Sequence, residues 1–227
     1  MSDFELSAPP AVIKDKNSQA WTNWLNKVYE KLRGPLWEDM LAPLANAQPR
    51  GTAPILQPFG ATSITQQLEF NRGDGAQVGF HIPHNVKPGS KAYMHVHWST
   101  DGTAATAAST DTVEWVLDYE YAKGHQQESF GNAGQITLTQ SVYSGISVGP
   151  TTPDPWFHYI TEASDAQAIV LPEVDSLLFV KVTRGSTSDT YDNTGNGNVF
   201  GLFVDIHYQI DRFGTPRKSP DFYKRGN

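Results

Sequence analysis

Two histidines separated by one residue are the first feature of the sequence that could perform chemistry. Gly89 precedes them in the pattern Gly89-x5-His95-x-His97. Neighbouring side chains of a β-strand point to opposite faces, so His95 and His97 share one face if this segment is a strand. A metal-binding double-stranded β-helix would present histidines in this way. The spacing therefore makes the two histidines candidate metal ligands.

The same spacing is similar to the beginning of the cupin signature, but the rest of that signature is missing. The acidic residue expected after the second histidine is at best Asp101, and no second block with a third histidine follows. His207 could be a third ligand, because Asp205 and His207 share the polar face of the last predicted strand. A histidine that faces a neighbouring strand or subunit is the more common outcome. We therefore predict a structural polar layer without bound metal, and His95, His97 and His207 remain candidate ligands under the alternative.

A pair of carboxylates, Asp118 and Glu120, is the second candidate site. Glycosidases need two carboxylates beside the sugar, and aromatic side chains often form the sugar platform. Carboxylates two residues apart on one strand are usually a solvated face, so we predict no catalytic residue here. Sugar binding by exposed aromatic residues stays open as an alternative. The aromatic candidates are Trp98, Trp115, Trp156, Tyr119 and Tyr121.

Composition excludes several classes of protein. The 227 residues contain no cysteine, which removes disulfides, thiol nucleophiles and thiolate metal sites. The net charge is -7, and an acidic chain is repelled by phosphate backbones, so we expect no nucleic-acid binding. No apolar run approaches membrane-spanning length, and the N-terminus lacks a signal-peptide core. We therefore expect no membrane contact and synthesis in the cytoplasm of the producing cell.

The first part of the chain has helical periodicity. Apolar residues from Trp21 to Leu32 recur at spacings of four, three and four, which predicts an amphipathic helix that begins near Ser18. We predict a second short helix over 35–41, after Pro35, and a proline-rich linker over 47–58. We expect the large apolar side chains of this segment to form an assembly interface: Trp21, Trp24, Leu25, Val28, Leu32 and Trp37.

From about residue 60 the periodicity changes to that of strands separated by turns. Eight strands are predicted, at 64–70, 76–82, 91–98, 112–121, 135–143, 156–161, 176–183 and 200–210. Eight short strands without intervening helices favour an antiparallel β-sandwich of the jelly-roll type with a short N-terminal helical arm. The predicted core contains Met94, Val96, Trp98, Trp115, Leu117, Val204 and Ile206. The predicted domains are an arm and linker over 1–59, a sandwich over 60–211 and a basic tail over 212–227.

Several short strings, taken in order, resemble structural proteins of tailed-bacteriophage particles. They extend over about residues 36–214. The strings are Leu36-Trp37-Glu38-Asp39, Leu68-Glu69-Phe70, Ile82-Pro83-His84, Lys87-Pro88-Gly89, His95-Val96-His97-Trp98, Val113-Glu114-Trp115, Asp118-Tyr119-Glu120-Tyr121, Asp189-Thr190-Tyr191, Asp205-Ile206-His207-Tyr208 and Asp211-Arg212-Phe213-Gly214.

The resemblance implies a non-enzymatic structural protein of the virion, made in the cytoplasm of the host bacterium and attached through its N-terminal arm. It implies no cofactor and no catalytic residue. The expected role is capsid decoration or another head-associated position, with a neck or tail adaptor as the alternative. Expected partners are the major capsid protein, neck or tail proteins, and two further copies in a homotrimer. A cupin-like metal enzyme or a carbohydrate-binding jelly roll remains a further alternative.

Overall fold

The computed structural model describes residues 19–33, 36–101, 111–142, 155–191 and 198–210. It divides the chain into two compact units, Met1–Leu36 and Trp37–Asn227. Residues 1–18 of the predicted arm and the predicted tail over 212–227 lie outside the described residues. No helix within the described ranges is long and apolar enough to cross a membrane.

The first unit contains the helix α1 (Gln19–Arg33). Its described apolar side chains recur with the predicted helical spacing, and Trp21 and Trp24 meet edge to face with ring centroids 5.5 Å apart. The predicted first helix is therefore confirmed. Leu32 lies in this helix, but its side chain is outside the described part of the structure.

Twelve strands occur among the described residues of the chain. They are β1 (Leu36–Pro43), β2 (Gln48–Pro49), β3 (Ile55–Phe59), β4 (Thr65–Glu69), β5 (Gly75–His81), β6 (Ser90–Thr100), β7 (Thr112–Ala122), β8 (Asn132–Ser141), β9 (Tyr159–Glu162), β10 (Ile169–Leu171), β11 (Leu177–Arg184) and β12 (Val199–Ile210). One turn of 3₁₀ helix, Leu44–Asn46, follows β1.

The strands form two antiparallel sheets with jelly-roll connectivity. In the seven-stranded sheet the order is β10-β6-β12-β4-β3, with β9 also paired to β6 and β1 to β12. In the five-stranded sheet the order is β2-β5-β11-β7-β8. From β4 onward the chain alternates between the two sheets except at the β7–β8 hairpin, which stays in the five-stranded sheet, and β9 and β10 share one position beside β6. The eight positions are those of a jelly roll, as predicted.

Period-2 alternation builds the core between the two sheets. All seven predicted core residues are 0% exposed. Gly201 lies where β12 crosses the side chains of Phe70 and Leu44, and a Cβ there would come within 2.8 Å of each. A glycine lets β12 pass at this position, and its pairing with β6 shifts register immediately afterwards.

Two predictions for residues 35–59 are wrong. The segment predicted as a second helix is the strand β1, and the segment predicted as a linker contains β2 and β3, which pair within the sheets. The unit boundary therefore falls after Leu36 rather than after residue 59. Leu44, which is 0% exposed, shows the reason. Burial of apolar side chains from this stretch stabilises its packing on the sheets, although the neighbouring prolines are typical of a linker.

Candidate functional site

Three neighbouring strands bring histidines and carboxylates into one row on the outer face of the seven-stranded sheet. His95 of β6 is the register partner of Asp205 on β12 and of Glu162 on β9. Cross-strand partners project to the same face, opposite the buried face that carries Met94 and Val96. His97 lies two residues after His95 on β6, and His207 lies two residues after Asp205 on β12, so both also face outward.

The side chains of this histidine–carboxylate cluster are within a few ångströms of one another. His97 Nε2 is 3.1 Å from Asp205 Oδ2, and His95 Nδ1 is 3.3 Å from Asp205 Oδ1. On its other side, His95 Nε2 is 3.2 Å from Glu162 Oε1. Two overlapping groups could each hold a metal ion, one of His95, His97 and Asp205 and one of His95, Glu162 and His207.

The centre of the cluster is buried although it lies on the outer face of a sheet. Asp205 is 3% exposed and His95 is 9% exposed. Trp37 of β1 lies edge-on against the His207 ring at 4.9 Å. His158 forms a 2.8 Å hydrogen bond with His97 Nδ1. Burial, and then the charge of His97, lower the pKa of His158, which favours its neutral form.

Two buried atoms of the cluster have no hydrogen-bond partner among the described residues. They are Nε2 of His95 and Oδ1 of Asp205. Their contacts at 3.2 and 3.3 Å bring polar atoms together without the geometry of a hydrogen bond. A buried polar atom left unsatisfied is costly, so this arrangement requires a physical explanation.

The structure brings all three sequence-predicted histidine candidates, His95, His97 and His207, into this one cluster. The strand pattern of the sequence places Asp205 on the same face as His207, but it does not indicate Glu162 or His158. The buried–exposed alternation of β9 could have placed Glu162 on an outer face. It could not have shown which strand β9 pairs with, and that pairing is what brings Glu162 to His95.

The other three histidines surround a second carboxylate, Asp175. His84 Nε2 lies 2.6 Å and His81 Nε2 3.5 Å from Asp175 Oδ1, while His125 Nε2 lies 3.0 Å from Oδ2. All seven histidines of the chain thus belong to one of two carboxylate-centred clusters. The Asp175 cluster joins loops at one end of β5 and is more exposed than the first, with 61% of the His81 side chain accessible.

The predicted carboxylate pair lies in a shallow groove on the outer face of the five-stranded sheet. Asp118 accepts a 2.7 Å hydrogen bond from Gln135 and is 3.6 Å from the ammonium of Lys181. The groove has a volume of about 700 Å³ and is also lined by Glu120 and Phe179. Asp118 and Glu120 therefore face solvent, as predicted.

The proposed sugar platform is wrong for two of its aromatic residues. Trp98 and Trp115 are both 0% exposed and belong to the core. Phe179, which sequence analysis missed, is 37% exposed and lies 5.4 Å from the ring of Phe130. Its outward direction on β11 follows from the alternation with the buried Leu178.

The predicted assembly residues fall into different environments. Trp21, Trp24 and Val28 are half-buried in α1, and Leu25 is 51% exposed. Trp37 belongs to the β unit, where it covers part of the histidine–carboxylate cluster.

Comparisons with known proteins add a likeness in fold. No protein-family model and no curated protein matches the chain. A carbohydrate-binding module of family 36, solved with calcium and xylotriose, aligns at 12% identity and a TM-score of 0.37, over 74% of this chain and 98% of that one. A family 22 carbohydrate-binding module of Clostridium thermocellum Xyn10B aligns at 15% identity and a TM-score of 0.32, over 74% and 83%. The Cry8Ea1 toxin of Bacillus thuringiensis aligns at 12% identity and a TM-score of 0.40, over 77% and 24%. At these values the likeness is confined to the β-sandwich layout that the strand order already gives.

Proposed function

We propose that the chain is a non-enzymatic structural protein of a tailed-phage particle, as its sequence resemblance implies. The proposed position is at the head, as capsid decoration or an associated protein, with a neck or tail adaptor as the alternative. The proposed oligomer is a homotrimer. The structural observation that supports an assembly role is a set of apolar side chains exposed along one edge of the seven-stranded sheet.

This apolar edge consists of Leu41 on β1, Ile55 and Leu56 on β3, and Ile64 before β4. These side chains are 60%, 50%, 51% and 85% exposed. β3 is the last strand on this side of the sheet. β6 pairs along one side of β12, so β1 and β4 both pair with its other side. An edge strand with exposed apolar residues is a pairing hazard unless a partner covers it. A subunit that assembles with other chains provides that cover.

The separate helical unit gives further support. α1 has an apolar stripe, and an isolated helix of its length is marginal in water, so it needs a packing partner. A test by truncation should remove residues 1–35. A cut at residue 50, which the predicted linker suggested, would also remove β1, β2 and the core residue Leu44.

Purified virions provide the decisive experiment. Mass spectrometry of particles from the producing culture should detect the chain, and light scattering of the full-length protein should give a trimer. Leu56→Lys should weaken trimerisation or incorporation, because it buries a charge at the contact. The matched control is Val170→Lys, since Val170 is 54% exposed on β10 at the opposite edge. A chain that is absent from the particles and monomeric at assembly concentrations overturns the proposal.

A second candidate function, carbohydrate binding, is supported by the groove on the five-stranded sheet. Phe179 offers an apolar ring face, and Asp118, Gln135 and Lys181 offer hydrogen-bonding groups beside it. Calorimetric titration with xylo- and gluco-oligosaccharides tests this function. Phe179→Ala should abolish binding, whereas Phe157→Ala should not, because Phe157 is 44% exposed but does not line the groove. Failure of every oligosaccharide to bind the wild-type protein rejects this candidate and leaves the virion proposal standing.

A further inference from the structure

We propose that His95, His97 and Asp205 form a binding site for one divalent transition-metal ion, of the class that includes Zn²⁺. The site goes beyond the structural role proposed above and does not depend on it. The three residues come from the two central strands β6 and β12, which form the most extensive antiparallel pairing of the seven-stranded sheet. The ligands are therefore held by rigid elements rather than by loops.

The donor set suits a borderline metal ion. Two imidazoles and one carboxylate are a common protein ligand set for Zn²⁺, and they leave a further position for water or another ligand. The hard cations Ca²⁺ and Mg²⁺ prefer shells made of oxygen alone. The imidazoles of His95 and His97 therefore favour a transition metal.

The spacing of the donor atoms agrees with a shared ion. Ligand atoms at metal distances of about 2.0–2.1 Å in a tetrahedral site lie roughly 3.3 Å from one another. His97 Nε2 and His95 Nδ1 lie 3.1 and 3.3 Å from oxygens of Asp205, and the ligand atoms of all three residues fall within 4.8 Å. The two contacts are to different oxygens of Asp205, so the side chains must shift before all three residues ligate one ion.

The unsatisfied carboxylate oxygen is the observation that a polar layer alone does not explain. Asp205 is 3% exposed, and its Oδ1 has no hydrogen-bond partner among the described residues. Within those residues its ion-pair partners are both histidines, neither of which is a permanent cation. A buried carboxylate needs a compensating positive charge or complete hydrogen bonding. A bound divalent cation supplies the missing charge and uses the free oxygen.

The residues around the three ligands are placed to orient them. A histidine that ligates a metal through one nitrogen usually donates its other N–H to a neighbouring acceptor. His97 has His158 at 2.8 Å from its Nδ1, and His95 has Glu162 Oε1 at 3.2 Å from its Nε2. With Nε2 of His97 and Nδ1 of His95 as ligand atoms, the remaining nitrogen of His97 is hydrogen-bonded to His158, whereas that of His95 lies near Glu162 without hydrogen-bond geometry.

The alternative group of His95, Glu162 and His207 is less suited to hold the ion. The Glu162 side chain is 56% exposed, whereas that of Asp205 is 5% exposed. A solvated carboxylate binds a cation more weakly, because water competes for the same charge. We therefore assign Glu162 to the supporting role beside His95.

The test is metal titration of the tag-free, full-length protein after treatment with a chelator and dialysis. Zn²⁺ binding is followed by calorimetry and Co²⁺ binding by visible absorption, which reports four-coordinate geometry directly. We expect one ion per chain. Asp205→Asn and His97→Gln should each weaken binding by at least about tenfold, and Glu162→Gln by less than either. His84→Gln is the matched control, because it removes a histidine from the Asp175 cluster, and it should leave affinity and stoichiometry unchanged.

The outcomes separate the proposal from its competitors. A wild-type protein that binds neither Zn²⁺ nor Co²⁺ overturns the site, as does a Co²⁺ spectrum that Asp205→Asn and His97→Gln leave unchanged. Loss of binding in Glu162→Gln and His207→Gln, but not in His97→Gln, overturns the assigned ligands. Near-ultraviolet circular dichroism of each variant shows whether the fold is retained, and the wild-type titration remains decisive if a variant does not fold.

Discussion

The Arg184–Asp189 pair and the His95–Asp205 pair are both buried, but they differ in how completely their polar atoms are bonded. Arg184 is 0% exposed and donates twice to Asp189, from Nε and Nη2, with both bonds at 2.9 Å. Two further N–H groups, on Nη1 and Nη2, donate to the carbonyl oxygens of Phe70 and Tyr191, at 3.0 and 2.7 Å. Every nitrogen of this guanidinium therefore makes at least one hydrogen bond, as in a structural ion pair.

Both carboxylate oxygens of Asp189 accept hydrogen bonds. Besides Arg184, its carboxylate accepts from Arg72 Nε at 3.0 Å and from the backbone N–H of Glu114 at 3.2 Å. Asp205 has a similar burial, but its ion-pair partners within the described part of the chain are histidines, and one of its oxygens has no hydrogen bond there. The difference separates two uses of buried charge: the Arg184 pair is complete in the chain itself, whereas the His95 pair has donor atoms left for a ligand.

Breaking the complete pair should have the largest effect on stability. Arg184→Met leaves Asp189 buried without its bidentate partner, and we expect a loss of about 3–5 kcal/mol in the free energy of unfolding. Guanidinium denaturation measures it. Arg50→Met is the control, since Arg50 is exposed at the groove, and it should change stability by less than about 0.5 kcal/mol. Similar midpoints for the two variants would show that Arg184 is not a structural anchor.

Removing the carboxylate of the His95–Asp205 pair should change the free energy of unfolding only slightly when no metal is bound. Asp205→Asn keeps the shape of the side chain and removes a buried charge whose Oδ1 is unpaired, so we expect a change within about 1 kcal/mol. Zn²⁺ at one hundred times its dissociation constant should stabilise the wild-type protein by about 2.7 kcal/mol and the variant far less. Thermal melts with and without Zn²⁺ measure both effects. A metal-free Asp205→Asn protein that unfolds as easily as Arg184→Met would mean that the two pairs do not differ.

The sequence predicted the strands that carry the two buried pairs more reliably than it predicted the pairs themselves. All eight predicted strands are present because period-2 alternation is a local signal, and the 0% exposure of Trp98 and Trp115 follows from it. The three histidines on β6 and β12 were found for the same reason. The Arg184–Asp189 pair was not found, because it depends on how the loop after β11 folds back, and no periodicity records that.

The errors have a common physical origin. Residues 35–59 have the prolines of a linker, yet β1, β2 and β3 extend the two sheets at their edges, where proline is tolerated. The predicted helix that contained Trp37 is the second error, whereas the role of Trp37 in an assembly interface stays a prediction. In the structure it lies on a strand and contacts the rings of Tyr93 and His207. Tertiary pairing decided both outcomes.

The Asp175 cluster provides a third case, rich in histidine but exposed. Both oxygens of Asp175 accept hydrogen bonds, from His84 at 2.6 Å and His125 at 3.0 Å. We expect Asp175→Asn to cost less than about 1 kcal/mol, because solvent screens these groups, and to leave Zn²⁺ stoichiometry unchanged. Denaturation at pH 7 and metal titration measure the two quantities. Loss of the bound ion in this variant would place the metal site at Asp175 instead of Asp205.

Tyr208 is a buried polar residue on the same strand as Asp205, and its hydroxyl is hydrogen-bonded. Its O–H donates to Glu38 at 3.1 Å, and burial together with this hydrogen bond raises the pKa of Tyr208 to about 12. The unfolded chain releases this proton near its ordinary pKa of 10, so the stabilisation is complete below pH 10 and is lost as the pH rises toward 12.

Tyr208→Phe should lower the free energy of unfolding by about 1 kcal/mol at pH 7. Urea denaturation from pH 8 to 12 should show the gap between wild type and variant closing above pH 10, and a gap that stays constant through pH 12 would mean that Tyr208 titrates alike in the folded and unfolded chain.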